Sequence, residues 1–217
     1  MDAERARAPA PLTRPVIVLA GGRSSRMGEP KGLVAVRGRP WLEHQLERFA
    51  ACGGERAIVV LGHGASAYLA ALPWLAESFA GLAIDIVMND APERGTFSSV
   101  QCGARAVLAN GDAAGAFVLP VDVPCAEARV WEALDAACTG DVLASVPRYA
   151  SRGGHPVACS HALLASLVAL DPATADARLD VQLRSARVAP RVIGVPVTDA
   201  RVIANLNTPD DWATITG

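Results

Sequence analysis

Short apolar runs alternate with amphipathic stretches along this chain. Val16-Ile17-Val18-Leu19-Ala20 is continuous, β-branched and stopped by Gly21-Gly22. That is the pattern of a strand buried on both faces of a parallel sheet. Pro40 opens a helical spacing through Leu42, Leu46 and Phe49, which Gly53-Gly54 closes. Residues 56–61 predict a second strand and 66–72 a short helix; 82–88 predict a third strand and 98–108 the helix after it. Residues 116–121 predict the fourth strand, with its helix at 126–137. After Cys138 the rhythm changes. Strands at 142–146 and 156–159 flank a polar loop at 148–154, and two helical patterns precede a last strand at 192–197. Strands alternating with helices predict an α/β protein with a doubly wound, mostly parallel sheet between two helical layers. The later part reads as a small substrate-side insertion and a C-terminal cover on the same sheet.

Composition narrows the function classes. The 217 residues are 51% hydrophobic and 19% charged, enough apolar content for a sizeable core and too little charge for a disordered chain. A net charge of −2 argues against bulk electrostatic binding of nucleic acid. No stretch approaches a membrane span without glycine, proline or charge. Five scattered cysteines form no CxxC pair and no disulfide framework, which fits a cytoplasmic protein. Residues 1–14 are rich in Arg, Ala and Pro and read as a disordered tail, leaving a single domain at 15–217. Of the 20 cationic residues 19 are arginines, and the only lysine is Lys31.

Lys31 ends the chain's richest segment, Leu19-Ala20-Gly21-Gly22-Arg23-Ser24-Ser25-Arg26-Met27-Gly28-Glu29-Pro30-Lys31. A loop after the first strand of a doubly wound sheet lies at the ligand-binding switch point. Its glycines let backbone N–H groups approach an anion, its serines add hydroxyls, and Arg26 and Lys31 add positive charge. The spacing fits neither the dinucleotide fingerprint GxGxxG nor the P-loop GxxxxGK[ST]. Asp122, in Pro120-Val121-Asp122-Val123-Pro124, ends a buried strand beside this loop, where a magnesium ligand would sit. Gly95 and the following serines Ser98 and Ser99 sit at a helix start, with backbone donors and caps. Arg152 and His155, on a glycine-flanked loop, are groups able to bind a phosphate monoester.

The string LAGGRSSRMGEPKGL resembles the signature of the MobA/MocA-type nucleotidyltransferases, which attach a nucleotide to molybdopterin, within a wider superfamily acting on sugar and other phosphates. Four later landmarks follow in order: Asn89 to Val100, Asp122, the GHPV element at Gly154-His155-Pro156-Val157, and Asn205-Leu206-Asn207-Thr208-Pro209. The resemblance implies a Rossmann-like nucleotidyltransferase fold. It implies that Arg26, Lys31 and Asp122 are catalytic, and that Leu19, Ala20, Gly21, Gly22, Arg23, Ser24, Ser25, Asn89, Gly95, Ser98 and Ser99 bind the nucleotide. Arg152, Gly154, His155 and Pro156 would face the second substrate. Asp122 with Asn205 or Asn207 would hold Mg²⁺, a neutral amide leaving more of the coordination to the triphosphate.

The implied reaction is in-line attack by an acceptor phosphate on the α-phosphorus of an NTP, releasing pyrophosphate, with no general base required. The LAGG start and the NxNTP ending are MobA-like and favour GTP. Gly62-His63, Gly95 to Val100 and the GHPV loop are MocA-like and favour CTP, towards which the base-pocket element tips the balance. Molybdopterin is the expected acceptor, and transient contact with a molybdoenzyme maturation protein accompanies it. Two alternatives stand beside this: transfer to a sugar phosphate or other small phosphate, and a non-catalytic nucleotide-binding module on the same fold.

Overall fold

The first apolar run becomes β1 (Val16–Leu19), whose side chains alternate between two separate cores. Val16 and Val18 face one and Ile17 and Leu19 the other, all buried, which is why the run carries no polar position. A computed structural model describes residues 9–24, 28–185 and 187–216. A short hairpin, β2 (Ala35–Val36) and β3 (Arg39–Pro40), leads into α1 (Trp41–Ala51). Then come β4 (Arg56–Leu61), α2 (Ala65–Ala71), β5 (Ser78–Phe79), β6 (Leu82–Met88), α3 (Thr96–Ala109), β7 (Ala116–Pro120) and α4 (Ala128–Ala137). The later part holds β8 (Ala144–Tyr149), β9 (Arg152–Gly153), β10 (Val157–Cys159), α5 (His161–Val168), α6 (Leu179–Arg184), β11 (Val192–Pro196) and α7 (Pro209–Thr216).

Among the described residues nine strands form one sheet in the order β11-β8-β10-β7-β1-β4-β6-β5, with β9 pairing to β8. The four strands around β1 are parallel: β7, β1, β4 and β6. The sheet is therefore doubly wound as expected. The exceptions are β10, which runs antiparallel between β7 and β8, and the short edge pieces β5 and β9. The polar loop expected at 148–154 is in fact the tip of the β8–β9 hairpin. Helices α1, α2 and α4 and Trp212 of α7 pack on one face through Leu42, Leu46, Phe49, Tyr68 and Trp131. Helices α3 and α5 cover the other through Phe97, Val100, Ala104, Leu163 and Leu167. Gly103 marks the closest approach of α3 to the sheet, since a Cβ there would lie 2.4 Å from Ile17 Cγ2.

The tail expected at 1–14 gives way to packed structure at its inner end. Leu12 is buried and its N–H donates to the Gly53 carbonyl at 2.9 Å. Arg14, also buried, donates to the Asp135 carboxylate and the Cys138 carbonyl, while Thr13 bonds the same carboxylate. A guanidinium with that many anionic and carbonyl partners is held rather than solvated. Among the described residues all five cysteines are free thiols, and no helix is long and apolar enough to cross a membrane.

Candidate active site

The carboxyl ends of β1, β4 and β7 meet at one cleft of about 430 Å³. Leu19, Ala20, Gly21, Gly22, Arg23 and Ser24 of the glycine-rich loop line it, with Lys31, Gly95, Ser99, Asp122 and Asn207. Four segments far apart in sequence thus converge where a doubly wound sheet places its ligands. Gly21, just past β1, packs against the residue that follows β4 and against α3: a Cβ would lie 3.2 Å from both the Gly62 nitrogen and Ser99 Oγ. Ser24 adopts a left-handed φ of 48°, a local strain of the kind that accompanies ligand loops. Arg26 and Ser25, expected in the catalytic and nucleotide-binding sets, lie outside the described residues.

Lys31 is the hub. Its ammonium donates to Asp122 Oδ2 at 2.8 Å and to Asn207 Oδ1 at 2.7 Å. Its backbone N–H donates to Ser24 Oγ at 3.1 Å, and the next N–H, of Gly32, donates to the Tyr68 hydroxyl at 2.9 Å. Burial pushes the Tyr68 hydroxyl up to about 12, partly offset by that Gly32 bond, so it stays a neutral acceptor. The segment carrying Asp122 is fixed from behind. Trp41 donates to the Val121 carbonyl at 2.7 Å, and Gln45 donates to the Val123 carbonyl at 2.6 Å while accepting from the Cys125 N–H at 2.7 Å. Asn207 is fixed as well: the neighbouring Leu206 N–H donates to the Asp122 carbonyl at 2.8 Å. Its own N–H donates to the Asp211 carboxylate at 2.9 Å. That bond, with those from the Thr208 N–H and hydroxyl, holds the Asp211 carboxyl below its ordinary value.

Between the two amide candidates the geometry separates clearly. Asn207 bonds Lys31 within the cleft, whereas Asn205 is exposed and lies off the cleft wall. Asn89 and Ser98, expected to touch the nucleotide, are buried behind the wall. Asn89 spends its amide on Ser98 Oγ at 2.8 Å, Ser99 Oγ at 2.9 Å and the Ala91 N–H at 3.1 Å. It positions Ser99 and the 14-residue helix α3, whose preceding Gly95 and first residue Thr96 open on the cleft. Gly95 takes φ 86°, a conformation suited to glycine, with open space where a Cβ would stand.

Tyr68 and Glu93 also line this wall, with no motif in the sequence to mark them, and His63 joins them. His63 accepts a hydrogen bond from Arg23 Nε at 3.3 Å across the cleft rim. Its place directly after β4, the parallel neighbour of β1, was the available signal.

The residues expected to face the second substrate, Arg152, Gly154, His155 and Pro156, do not line the cleft and come towards its edge through the reversed strand. Because β10 runs antiparallel to β7, its start rather than its end lies beside the end of β7, with Val157 opposite Val118. His155 shares a hydrogen bond with the Val118 carbonyl through Nδ1 at 3.3 Å, and burial lowers its pKa despite the nearby Asp122 and Asp180 carboxylates. Gly154 is required where it stands, since a Cβ would come within 2.0 Å of the Val202 carbonyl oxygen. Arg152 is exposed on β9, and Pro156 is buried at the start of β10.

A three-layer sheet with this cleft is the Rossmann-like fold of nucleotidyltransferases. The chain belongs to the MobA-like NTP transferase domain family, whose model matches residues 16–188. It is 35% identical over 131 residues to the Bifunctional protein GlmU of Acidovorax ebreus, a match covering 59% of this chain and 27% of that protein. The chain thus spans about a quarter of the length of the curated relatives it matches. Rv0371c of Mycobacterium tuberculosis H37Rv superposes with a TM-score of 0.73 at 25% identity, over 95% of this chain and 98% of that one. The same mycobacterial protein has been solved in complex with manganese, with a TM-score of 0.66 at 24% identity over 93% and 96% of the two chains. A nucleotidyl transferase from Methanothermobacter, Mth528, shares the fold with a TM-score of 0.70 at 24% identity, over 93% and 94%.

Proposed function

We propose that this chain is a cytoplasmic nucleotidyltransferase that moves an NMP group from an NTP, CTP ahead of GTP, to a small phosphorylated acceptor, with molybdopterin the first candidate. The observation that carries it is the convergence of the glycine-rich loop and its lysine on Asp122 and Asn207 in one cleft. In the reaction an acceptor phosphate oxygen bonds to the α-phosphorus while the bond to the β-phosphate oxygen breaks, and pyrophosphate leaves. A phosphate monoester is already anionic near neutral pH, so positioning and charge stabilisation carry the step.

Backbone N–H groups of Gly21 and Gly22, the Ser24 and Ser99 hydroxyls and the start of α3 would cradle the nucleotide. Lys31, with Arg26, would neutralise the departing pyrophosphate. Among the described residues no group of three or more His, Cys, Asp or Glu gathers a metal alone. One carboxylate and one amide oxygen, both within 2.8 Å of the same ammonium, are instead the donor set of a hard cation that shares its coordination with phosphates. Asp122 and Asn207 would hold Mg²⁺, which supplies charge neutralisation at the phosphate oxygens. The manganese in the mycobacterial relative supports a divalent metal here. Arg152 and His155 would bind the acceptor's phosphate beside Asp122. Hand-over of product to a molybdoenzyme maturation protein belongs to the same proposal.

The test is pyrophosphate release by the full chain, with each NTP and Mg²⁺, against molybdopterin and a panel of sugar phosphates. Release with CTP and molybdopterin is the expected result, and Lys31→Ala abolishes it while the circular dichroism spectrum is kept. Release only with a sugar phosphate replaces the acceptor. NTP binding without release in any combination reduces the chain to a binding module, and no NTP binding at all overturns both.

A further inference from the structure

The bonds around Lys31 divide into fixed and movable parts. Asp122 and Asn207 are tied to each other through the Leu206 N–H and the Asp122 carbonyl, and to the scaffold through Gln45, Trp41 and Asp211. The two backbone segments that carry these oxygens are thus held beside each other without help from the lysine. The Lys31 backbone is pinned too, by Ser24 Oγ on its own N–H and Tyr68 on the following one. On the lysine's side the freedom that remains is in the four-carbon stem and its ammonium. A compact ammonium on a flexible stem is suited to exchange one anionic partner for another. The pair is partly screened, the side chains of Lys31 and Asp122 being 16% and 24% exposed, so the ammonium gives up these oxygens only for a comparable partner.

From this we infer that Lys31 is a built-in competitor for the cation-binding oxygens of its own active site. The ammonium and a divalent metal ion require the same two atoms, Asp122 Oδ2 and Asn207 Oδ1, so occupation by one excludes the other. A polyphosphate resolves the conflict by giving the ammonium a new partner, and metal and nucleotide then favour each other's binding by the same factor. Free metal is discriminated against, and the metal–nucleotide complex is the preferred guest. The inference rests on the proposed assignment of Asp122 and Asn207 as the cation ligands.

The test reads metal binding without turnover. Mn²⁺ alone is titrated into the full-length protein, and free Mn²⁺ is followed by electron paramagnetic resonance. Lys31→Met, which keeps the stem and removes the charge, should bind Mn²⁺ about tenfold more tightly than the native chain, a change of about 1.4 kcal/mol. Lys31→Gln, which returns an amide donor to the same oxygens, should show a smaller tightening and guards against a folding defect peculiar to methionine. Adding Asp122→Asn to Lys31→Met should remove the gain and thereby locate it. Equal or weaker Mn²⁺ binding in both single variants overturns the inference. Tighter binding in a chain that releases no pyrophosphate leaves the inference standing and removes the proposed activity. An active chain whose Mn²⁺ affinity ignores Lys31 does the reverse.

Discussion

Replacing Gln45 by leucine should loosen the strand end that carries Asp122. Gln45 is 1% exposed, and its amide forms two short bonds, to the Val123 carbonyl at 2.6 Å and from the Cys125 N–H at 2.7 Å. A longer contact at 3.5 Å to the Val121 carbonyl matters less, because that oxygen also accepts from Trp41. Leucine has a similar volume and no polar atom, so one buried N–H and one buried C=O lose their partners. Each orphaned group costs about 1–3 kcal/mol, and the added apolar surface returns about 1 kcal/mol. The net loss is then on the order of 3 kcal/mol, a large share of a typical domain's stability of about 5–15 kcal/mol. Urea denaturation followed by tryptophan fluorescence measures it, with the m-value checking that the denatured state is unchanged. Gln45→Glu keeps the acceptor for Cys125 and loses the donor to Val123, so its loss should be of similar sign. A loss below about 0.5 kcal/mol in Gln45→Leu, within the range of unremarkable surface substitutions, would refute the role given to this amide.

Tyr68→Phe removes the acceptor of the Gly32 N–H beside Lys31; the Michaelis constant for NTP should rise several-fold, with a stability cost of about 1 kcal/mol read by thermal melting. Gly103→Ala should lower the melting temperature even though alanine favours helix, because its methyl meets Ile17 at 2.4 Å and overpacking costs about 1–3 kcal/mol. His155 gives a pH prediction. Burial lowers its folded pKa, so the unfolded chain takes up the proton first as pH falls. Stability should therefore be full above the unfolded imidazole value of about 6.5 and decline as pH drops through it towards the folded value. His155→Asn, which keeps a donor for the Val118 carbonyl, should flatten that part of the pH–stability curve. An unchanged slope would show that other groups set it.

What the sequence announced, and what it hid, divides along physical lines. Strands buried on both faces show as unbroken apolar runs, so β1, β4 and β7 were legible nearly residue by residue. The loop chemistry was legible because Lys31 stands alone among arginines, and the structure brings it to both Asp122 and Asn207. Two-residue strands such as β5 and β9 carry no periodicity to read. The docking of Arg14 on Asp135 joins residues 121 apart, and no local pattern encodes it. Asn89 and Ser99 share one polar cluster, yet only Ser99 faces the cleft. Which way a polar side chain points is decided by the packing of α3 on the sheet, not by its own identity.

The reversed strand β10 bears on how such a chain can diversify. The cleft opens at the ends of β1, β4 and β7 in the parallel quartet β6-β4-β1-β7, and β8, β9 and β11 lie beyond it in the sheet. Within the sheet their attachment to the quartet is a seam one strand wide, the three pairings of Val157, Ala158 and Cys159 with Val118, Phe117 and Ala116. A backbone ladder keeps its register whatever the loops at its ends contain, provided its own buried side chains still fit. The tip of the β8–β9 hairpin can therefore change while the lysine, the acid and the glycine-rich loop stay as they are, and Gly154 stays fixed by its approach to Val202. On the proposed function, the nucleotide end of such a cleft can stay constant while the hairpin end is fitted to another acceptor.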